Sequence, residues 1–235
     1  AFAALLRVLG GAFFTETAVW VPIMTWLAVA TMTVANLVAL AQTNIKRLLA
    51  FSSIAHAGYL LIALISGKEQ GVTAILFYLT IYAFMTVGAF GVAAAVGGGD
   101  HAAESGYDFI SSWAGLGRRR PMLAAVMTLF LVSMAGIPPT GGFLGKYLIF
   151  QSAVQSKQWM LVIVGSLNAV IAAYYYLSVI LTMWFKEQDG EPAPVSPLAP
   201  TLAIVLTITA AAVLYLGVAP SRILNLIAGL GLTLS

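Results

Sequence analysis

The sequence predicts an all-α, polytopic transmembrane helix bundle, and three observations carry that prediction. Of the 235 residues, 61% are hydrophobic and 8% are charged, whereas roughly a quarter of a soluble domain is charged. All eight acidic residues (Glu16, Glu69, Asp100, Glu104, Asp108, Glu187, Asp189 and Glu191) fall between apolar runs and none within one. A solvated helical protein spreads carboxylates along the outer faces of its helices, so here those faces meet lipid. The runs also have the length of a membrane crossing, which takes about 20 apolar residues.

Residues 1–14 are apolar apart from Arg7 and read as the end of one span. The apolar run 21–65 is too long for one crossing, and Gln42, Thr43, Asn44, Lys46 and Arg47 divide it into helices near 22–41 and 48–65. A span at 72–96 follows, then a polar, Gly-rich loop at 97–120. The stretch 121–155 comes next, then a span at 158–185, a Pro-rich acidic loop at 186–197 and a last span at 198–219. The apolar tail 220–235 either lies along the membrane interface or packs back on the bundle. The chain starts at Ala1 inside an apolar run, without the charged leading region of a signal peptide. It is expected to be a piece of a longer protein. The basic residues set an orientation. Alternating loops put Lys46, Arg47, Arg118, Arg119, Arg120 and Lys186 on one side, and Lys68, Lys157 and Arg222 on the other. The Arg118–Arg120 loop is then cytoplasmic and the C-terminus lies on the opposite face.

Several functions are disfavoured. The net charge of +3 comes without an aromatic-basic patch, so membrane orientation explains it better than nucleic acid does. With no cysteine, thiolate zinc sites, cysteine-ligated iron–sulfur clusters and disulfides are excluded. Asp100, His101, Glu104 and Asp108 read as a solvated loop rather than a metal site. Gly97–Gly99 and Gly115-Leu116-Gly117 lack the spacing and βαβ context of a dinucleotide fingerprint. Gly141–Tyr147 is one residue short of a phosphate loop, with Tyr147 where Ser or Thr belongs.

The stretch 121–155 is the most informative. As one helix it would run about 50 Å at 1.5 Å per residue, well beyond a ~30 Å hydrocarbon core. Pro138 and Pro139 remove two backbone donors, and Gly141 and Gly142 add local freedom. A discontinuous helix broken at Pro138–Gly142 is expected. Carbonyls freed inside a membrane are tolerated only where protein or a wet cavity meets them, and transporters place ion sites at such breaks. Lys146 lies just past the break. A lysine at the bilayer centre costs roughly 2.5–3.5 kcal/mol on insertion scales. Two readings are open: Lys146 takes up and releases a proton, or it snorkels toward the headgroups near Gln151 and Ser152.

On the helix 48–65, Ser52, His56 and Tyr59 fall on one face at i, i+4 and i+7. His56 is either a proton relay or a neutral histidine bonded to a neighbouring helix. Tyr78 and Tyr82, and the cluster Tyr174, Tyr175, Tyr176 and Ser178, suit packing or interfacial anchoring better than proton transfer. Lys46 and Arg47 fit a turn at the membrane face, either as anchors or at a proton entrance. Arg7 either contacts the buried site or caps its helix end.

The run QTNIKRLLAFSSIAHAGY at Gln42–Tyr59 closely resembles the antiporter-like subunits of proton-pumping NADH:quinone oxidoreductase, respiratory complex I. The run LVSMAGIPPTGGFLGK at Leu131–Lys146 is the second match. YLTIYAFMTVGAF at Tyr78–Phe90 resembles the subunit N branch, the counterpart of mitochondrial subunit 2. The resemblance covers essentially the whole chain. It implies a chain that runs from the end of family helix 8 to helix 14 and so holds the second of two inverted five-helix repeats, with Pro138–Gly142 as the break of helix 12. Lys146 would be its proton-channel lysine, with His56 on helix 10 and Lys46 in the loop before it. Lys146 and His56 would thus relay protons, supported by Lys46, Ser52, Tyr59, Pro138, Pro139, Gly141 and Gly142. The family's other relay charges, a glutamate on helix 5 and lysines on helices 7 and 8, match no position here, so this chain would carry half a pathway.

The resemblance further implies no cofactor or metal in this chain. NADH, FMN, iron–sulfur clusters and quinone would belong to partner subunits of the complex, in a bacterial inner membrane among lipids and neighbouring antiporter-like subunits. A cation/proton antiporter of the Mrp type and a membrane-bound hydrogenase subunit share both motifs and are the nearest rivals. A structural scaffold subunit is the rival from another class. A solute transporter would need more polar groups than Lys146 and His56 supply.

Overall fold

The computed structural model describes residues 2–9, 17–97, 108–187 and 198–229. Ten α-helices follow one another among them: α1 Phe2–Arg7, α2 Thr17–Leu40, α3 Ile45–Ser66, α4 Lys68–Gly97, α5 Leu116–Arg119, α6 Pro121–Ala135, α7 Gly141–Gln155, α8 Trp159–Phe185, α9 Pro200–Val218 and α10 Ser221–Gly229. Five helices are long and apolar enough to cross a membrane, in α2, α3, α4, α8 and α9. Asp100, His101, Glu104, Glu16, Asp189 and Glu191 lie outside the described residues.

Helix α3 is the axle of the bundle. Asn44 caps its N-terminus by accepting from the Arg47 backbone N–H at 3.0 Å, which satisfies one of the donors a helix start leaves free. Every residue from Gly58 to Ser66 is buried. A helix apolar on all sides belongs in an interior, and α2, α4, α7 and α8 all pack around it. Two apolar clusters result. One gathers Leu48, Leu49, Phe130, Trp113 and Met183. The other gathers Met32, Leu60, Ile62, Ile75 and Ile149.

The two ends of the bundle differ in chemistry. At one end the Ile45 N–H donates to the Asp108 carbonyl at 2.8 Å and the Ile110 N–H to the Thr43 carbonyl at 2.8 Å. Lys46 pairs with Asp108 at 2.8 Å, and Arg118 pairs with Glu187 at 3.0 Å. At the other end the Ser156 hydroxyl donates to the Ser66 carbonyl at 2.6 Å, near the exposed Lys157.

The stretch 121–155 breaks, but at 136–140 rather than at Pro138–Gly142. Gly136 takes φ 86°, a left-handed conformation that ends α6, and only glycine enters it without steric cost. Its N–H closes back on Val132 and Ser133, and that of Ile137 on Val132. Pro138 and Pro139 then exclude a helical continuation. Thr140 is the N-cap of α7, so Gly141 and Gly142 belong to its first turn. There they serve close approach: a Cβ on Gly142 would lie 1.9 Å from the Ser133 carbonyl oxygen. The end of α6 and the start of α7 thus lie side by side, two half-helices of about 22 Å each.

Helix α10 packs back on the bundle through Ile223, Leu224 and Ile227.

Candidate functional site

The break leaves α6 ending inside the bundle, where its last carbonyls have no partner in their own helix. Lys146 reaches back from the second turn of α7 and supplies one. Its ammonium donates to the Met134 carbonyl at 2.8 Å and to the Ala135 carbonyl at 3.1 Å. The residue is 5% exposed, so it does not snorkel to the surface. Its Nζ stands 5.0 Å from the centre of the Tyr59 ring, close enough for a cation–π attraction. A positive charge also suits the negative end of a helix dipole. No Asp or Glu lies in the apolar spans 17–40, 45–66, 70–96, 159–185 and 200–218 or in the two half-helices, Glu69 standing just ahead of the span in α4. Carbonyls and an aromatic face are what holds this charge.

Tyr59 connects Lys146 to His56, their ring centres being 6.0 Å apart. The imidazole is 2% exposed, and both its nitrogens are engaged. Nδ1 shares a hydrogen bond with the Tyr78 hydroxyl at 2.5 Å, and Nε2 with the Tyr176 hydroxyl at 3.1 Å. The Tyr176 hydroxyl also meets Ser52 Oγ at 2.5 Å. Tyr78 belongs to one apolar cluster and Tyr176 to the other. The polar groups therefore sit where the two clusters meet.

A second polar chain branches toward α2. Tyr175 donates to Asn36 Oδ1 at 3.0 Å, Asn36 Nδ2 to Asn168 Oδ1 at 2.9 Å, and Asn168 Nδ2 to Thr33 Oγ1 at 3.2 Å. Asn36 and Asn168 are both buried. The sequence reading missed them, although each is the single side-chain amide within its helix, an expensive group to place in lipid. It also gave Tyr78 and Tyr176 a packing role, because their hydrogen-bond partners come from other helices. Tyr174 and Ser178 are exposed, turned away from the site.

The other singled-out residues are placed as follows. Ser52 and Tyr59 lie in the network. Lys46 stands in the first turn of α3 in its pair with Asp108, at the end of the bundle. Pro138 and Pro139 form the exposed outer turn of the break, and Gly141 and Gly142 its buried inner side. Arg7 is exposed in the last turn of α1, away from the buried site. Among the described residues no group of three metal-ligating side chains exists. A cavity of about 590 Å³ opens at the Lys157 end, lined by Ser66, Gly67, Gln70, Ser152, Gln155 and Ser156 as well as Lys157. A second, of about 360 Å³, adjoins it through Gln70 and Ser152.

A sequence model of the family described as NADH:quinone oxidoreductase/Mrp antiporter, TM, matches residues 1–172. The chain belongs to the NADH:quinone oxidoreductase/Mrp antiporter transmembrane family. It is 47% identical over 224 residues to NADH-quinone oxidoreductase subunit N of Trichlorobacter lovleyi, covering 95% of this chain and 45% of that one. With subunit N 1 of Solibacter usitatus it shares 44% over 226 residues, 96% of this chain and 46% of the relative. The antiporter-family chain thus spans about half the length of the curated relatives it matches. Among solved structures it resembles a chain of respiratory complex I from Thermus thermophilus, at TM-score 0.73 and 32% identity over 87% of this chain and 45% of that one. A chain of the Mrp complex from Dietzia matches at TM-score 0.83 but 18% identity, over 96% of this chain and 49% of that one, which is a likeness of fold. The match of this family member to subunit N is thus the more specific one.

Proposed function

We propose that this chain is the second antiporter-like half of a subunit-N-type protein, and that it moves protons across a membrane under the drive of redox chemistry in partner subunits. Lys146 is the titrating group and His56 its relay, with Ser52 and Tyr59 in support. Lys46 steadies the entrance of α3, and Pro138, Pro139, Gly141 and Gly142 hold the break open. The five-helix repeat spans 15–185, and the last span with its tail follows at 198–235.

One observation carries the reading. The Lys146 ammonium is buried at a broken helix, with carbonyls and a ring as its partners and no carboxylate in any span. A lysine in that place loses little when its proton leaves, because its carbonyl acceptors can keep bonds to the neutral amine. Moving one charge against 100 mV takes about 2.3 kcal/mol, within reach of a conformational change that makes or breaks such contacts. NADH, FMN, iron–sulfur clusters and quinone belong to partner subunits in this reading. The membrane is a bacterial inner membrane, with the Arg118–Arg120 loop cytoplasmic and the C-terminus opposite.

The test uses the intact oxidoreductase in proteoliposomes, with Lys146→Ala in the full-length protein. Loss of proton uptake with retained NADH oxidation is expected, and unchanged uptake would sink the proposal in favour of a scaffold role. A sodium requirement would instead point to cation/proton antiport of the Mrp type.

A further inference from the structure

We propose that Tyr78, His56, Tyr176 and Ser52 form a switchable hydrogen-bond wire that carries a proton between Lys146 and the Lys46 end of the bundle by exchanging the two neutral tautomers of His56. The proposal rests on the reading of Lys146 above and adds the route on one side of it.

Each ring nitrogen of His56 meets a hydroxyl, and neither meets a carboxylate or a carbonyl. A second buried cation, beside the same Tyr59 ring as the Lys146 ammonium, would be uncompensated. The imidazole is therefore neutral, with one N–H donor and one bare acceptor. The chain then has two directional settings. In the first, the Tyr78 O–H donates to Nδ1, the Nε2–H donates to Tyr176, and the Tyr176 O–H donates to Ser52. In the second, every bond is reversed. Passing between them moves one proton and leaves no group charged. Water relaying a proton from Lys146 protonates the Tyr78 oxygen as the tyrosine's own proton goes to Nδ1. The Nε2 proton passes to Tyr176, that of Tyr176 passes to Ser52, and the Ser52 proton passes to water on the Lys46 side.

The chain through Asn36 and Asn168 is a contrast built into the same fold. An amide nitrogen only donates and an amide oxygen only accepts, so the order from Tyr175 to Thr33 has one direction. It fastens α8 to α2. Its Tyr175 end also meets the hydroxyls of Tyr176 and Ser52, so the two chains border each other there and are distinct at Asn36, Asn168 and Thr33.

The ends of the wire give its direction. Tyr78 lies against α7 at Gly145, next to Lys146, so tightly that a Cβ there would meet its ring at 2.5 Å. Ser52 lies seven residues into α3, about 10 Å from Ile45 at 1.5 Å per residue, behind the buried Leu48 and Leu49. On the opposite side, Ser152 lines the polar cavities and stands about 9 Å along α7 from Lys146. A polar cavity thus lies on one side of Lys146 and a tautomer-gated wire runs toward the other.

The test compares His56→Gln, Tyr176→Phe, Tyr78→Phe and Thr33→Val in the intact oxidoreductase in proteoliposomes, with Lys146→Ala alongside; Thr33 ends the fixed chain away from the wire. Glutamine keeps a donor and an acceptor but has no tautomer to exchange. The first three variants are expected to lose proton uptake per NADH oxidised while assembly and NADH oxidation persist. Thr33→Val is expected to keep the wild-type ratio. Wild-type ratios in the two wire tyrosine variants, with uptake lost in Lys146→Ala, would overturn the wire and leave the lysine reading standing. An equal loss in Thr33→Val would also overturn it, since the fixed chain would then matter as much. Should His56→Gln fail to assemble, the two tyrosine variants decide alone. Full uptake in Lys146→Ala would instead bring down the underlying reading, and the wire with it.

Discussion

Lys146 donates to the Met134 carbonyl at 2.8 Å, so a charge carried by α7 caps the C-terminal end of α6. The same ammonium that is proposed to move a proton therefore also fastens the two halves of the broken helix.

Replacing Lys146 with Met tests that double role. The Met134 and Ala135 carbonyls would lose their partner inside the bundle, and an unsatisfied buried acceptor costs about 1–3 kcal/mol. Thermal unfolding of the detergent-solubilised protein should show a destabilisation of that order together with loss of proton uptake. A stability equal to wild type would mean that water takes the place of the ammonium.

Gly136 sets where Lys146 can stand. It holds φ +86°, and a Cβ there would lie 2.9 Å from Lys146 Cδ. Gly136→Ala thus adds left-handed backbone strain of roughly 1–2 kcal/mol and pushes the lysine stem aside. Gly67, at φ +59°, has nothing within 4 Å of its Cβ position. Both alanine variants should lose stability, but Gly136→Ala alone should lower proton uptake. Equal uptake in the two would show that the stem relaxes freely.

Much of this was legible in sequence because lipid imposes a simple rule. Apolar runs of spanning length between charged segments mark helices, and the start of α3 sits at Asn44 because an amide there can cap it. The double proline announced a break, but its position was set by Gly136, one glycine among several, whose left-handed φ no local pattern distinguishes. Lys146 and His56 stood out as ionisable residues in apolar runs. Tyr78, Tyr176, Asn36 and Asn168 did not, because their roles arise from contacts between helices far apart in the chain.

The amide pair makes a measurable coupling. Asn36→Ala leaves Asn168 Oδ1 and the Tyr175 hydroxyl without their partner. Polar contacts between membrane helices measure about 0.6 kcal/mol on average and up to about 1.7 kcal/mol. A double-mutant cycle of Asn36→Ala and Asn168→Ala, read by unfolding, should return a coupling in that range. A coupling of zero would mean that each amide is held independently.

The orientation rests on which end of the bundle carries the basic residues, and single cysteines can read it because the chain has none of its own. Arg118 is exposed at the end where it pairs with Glu187, and Lys157 is exposed at the other. An exposed pair of that kind adds at most about 1 kcal/mol, so Arg118→Cys should fold as wild type does. In sealed inside-out vesicles of a background without other cysteines, a membrane-impermeant maleimide should label Arg118→Cys and spare Lys157→Cys until the vesicles are opened. Right-side-out vesicles should give the opposite pattern. Labelling of both from one face would overturn the spanning arrangement of α6 and α7, because these two positions bracket the broken helix and nothing else.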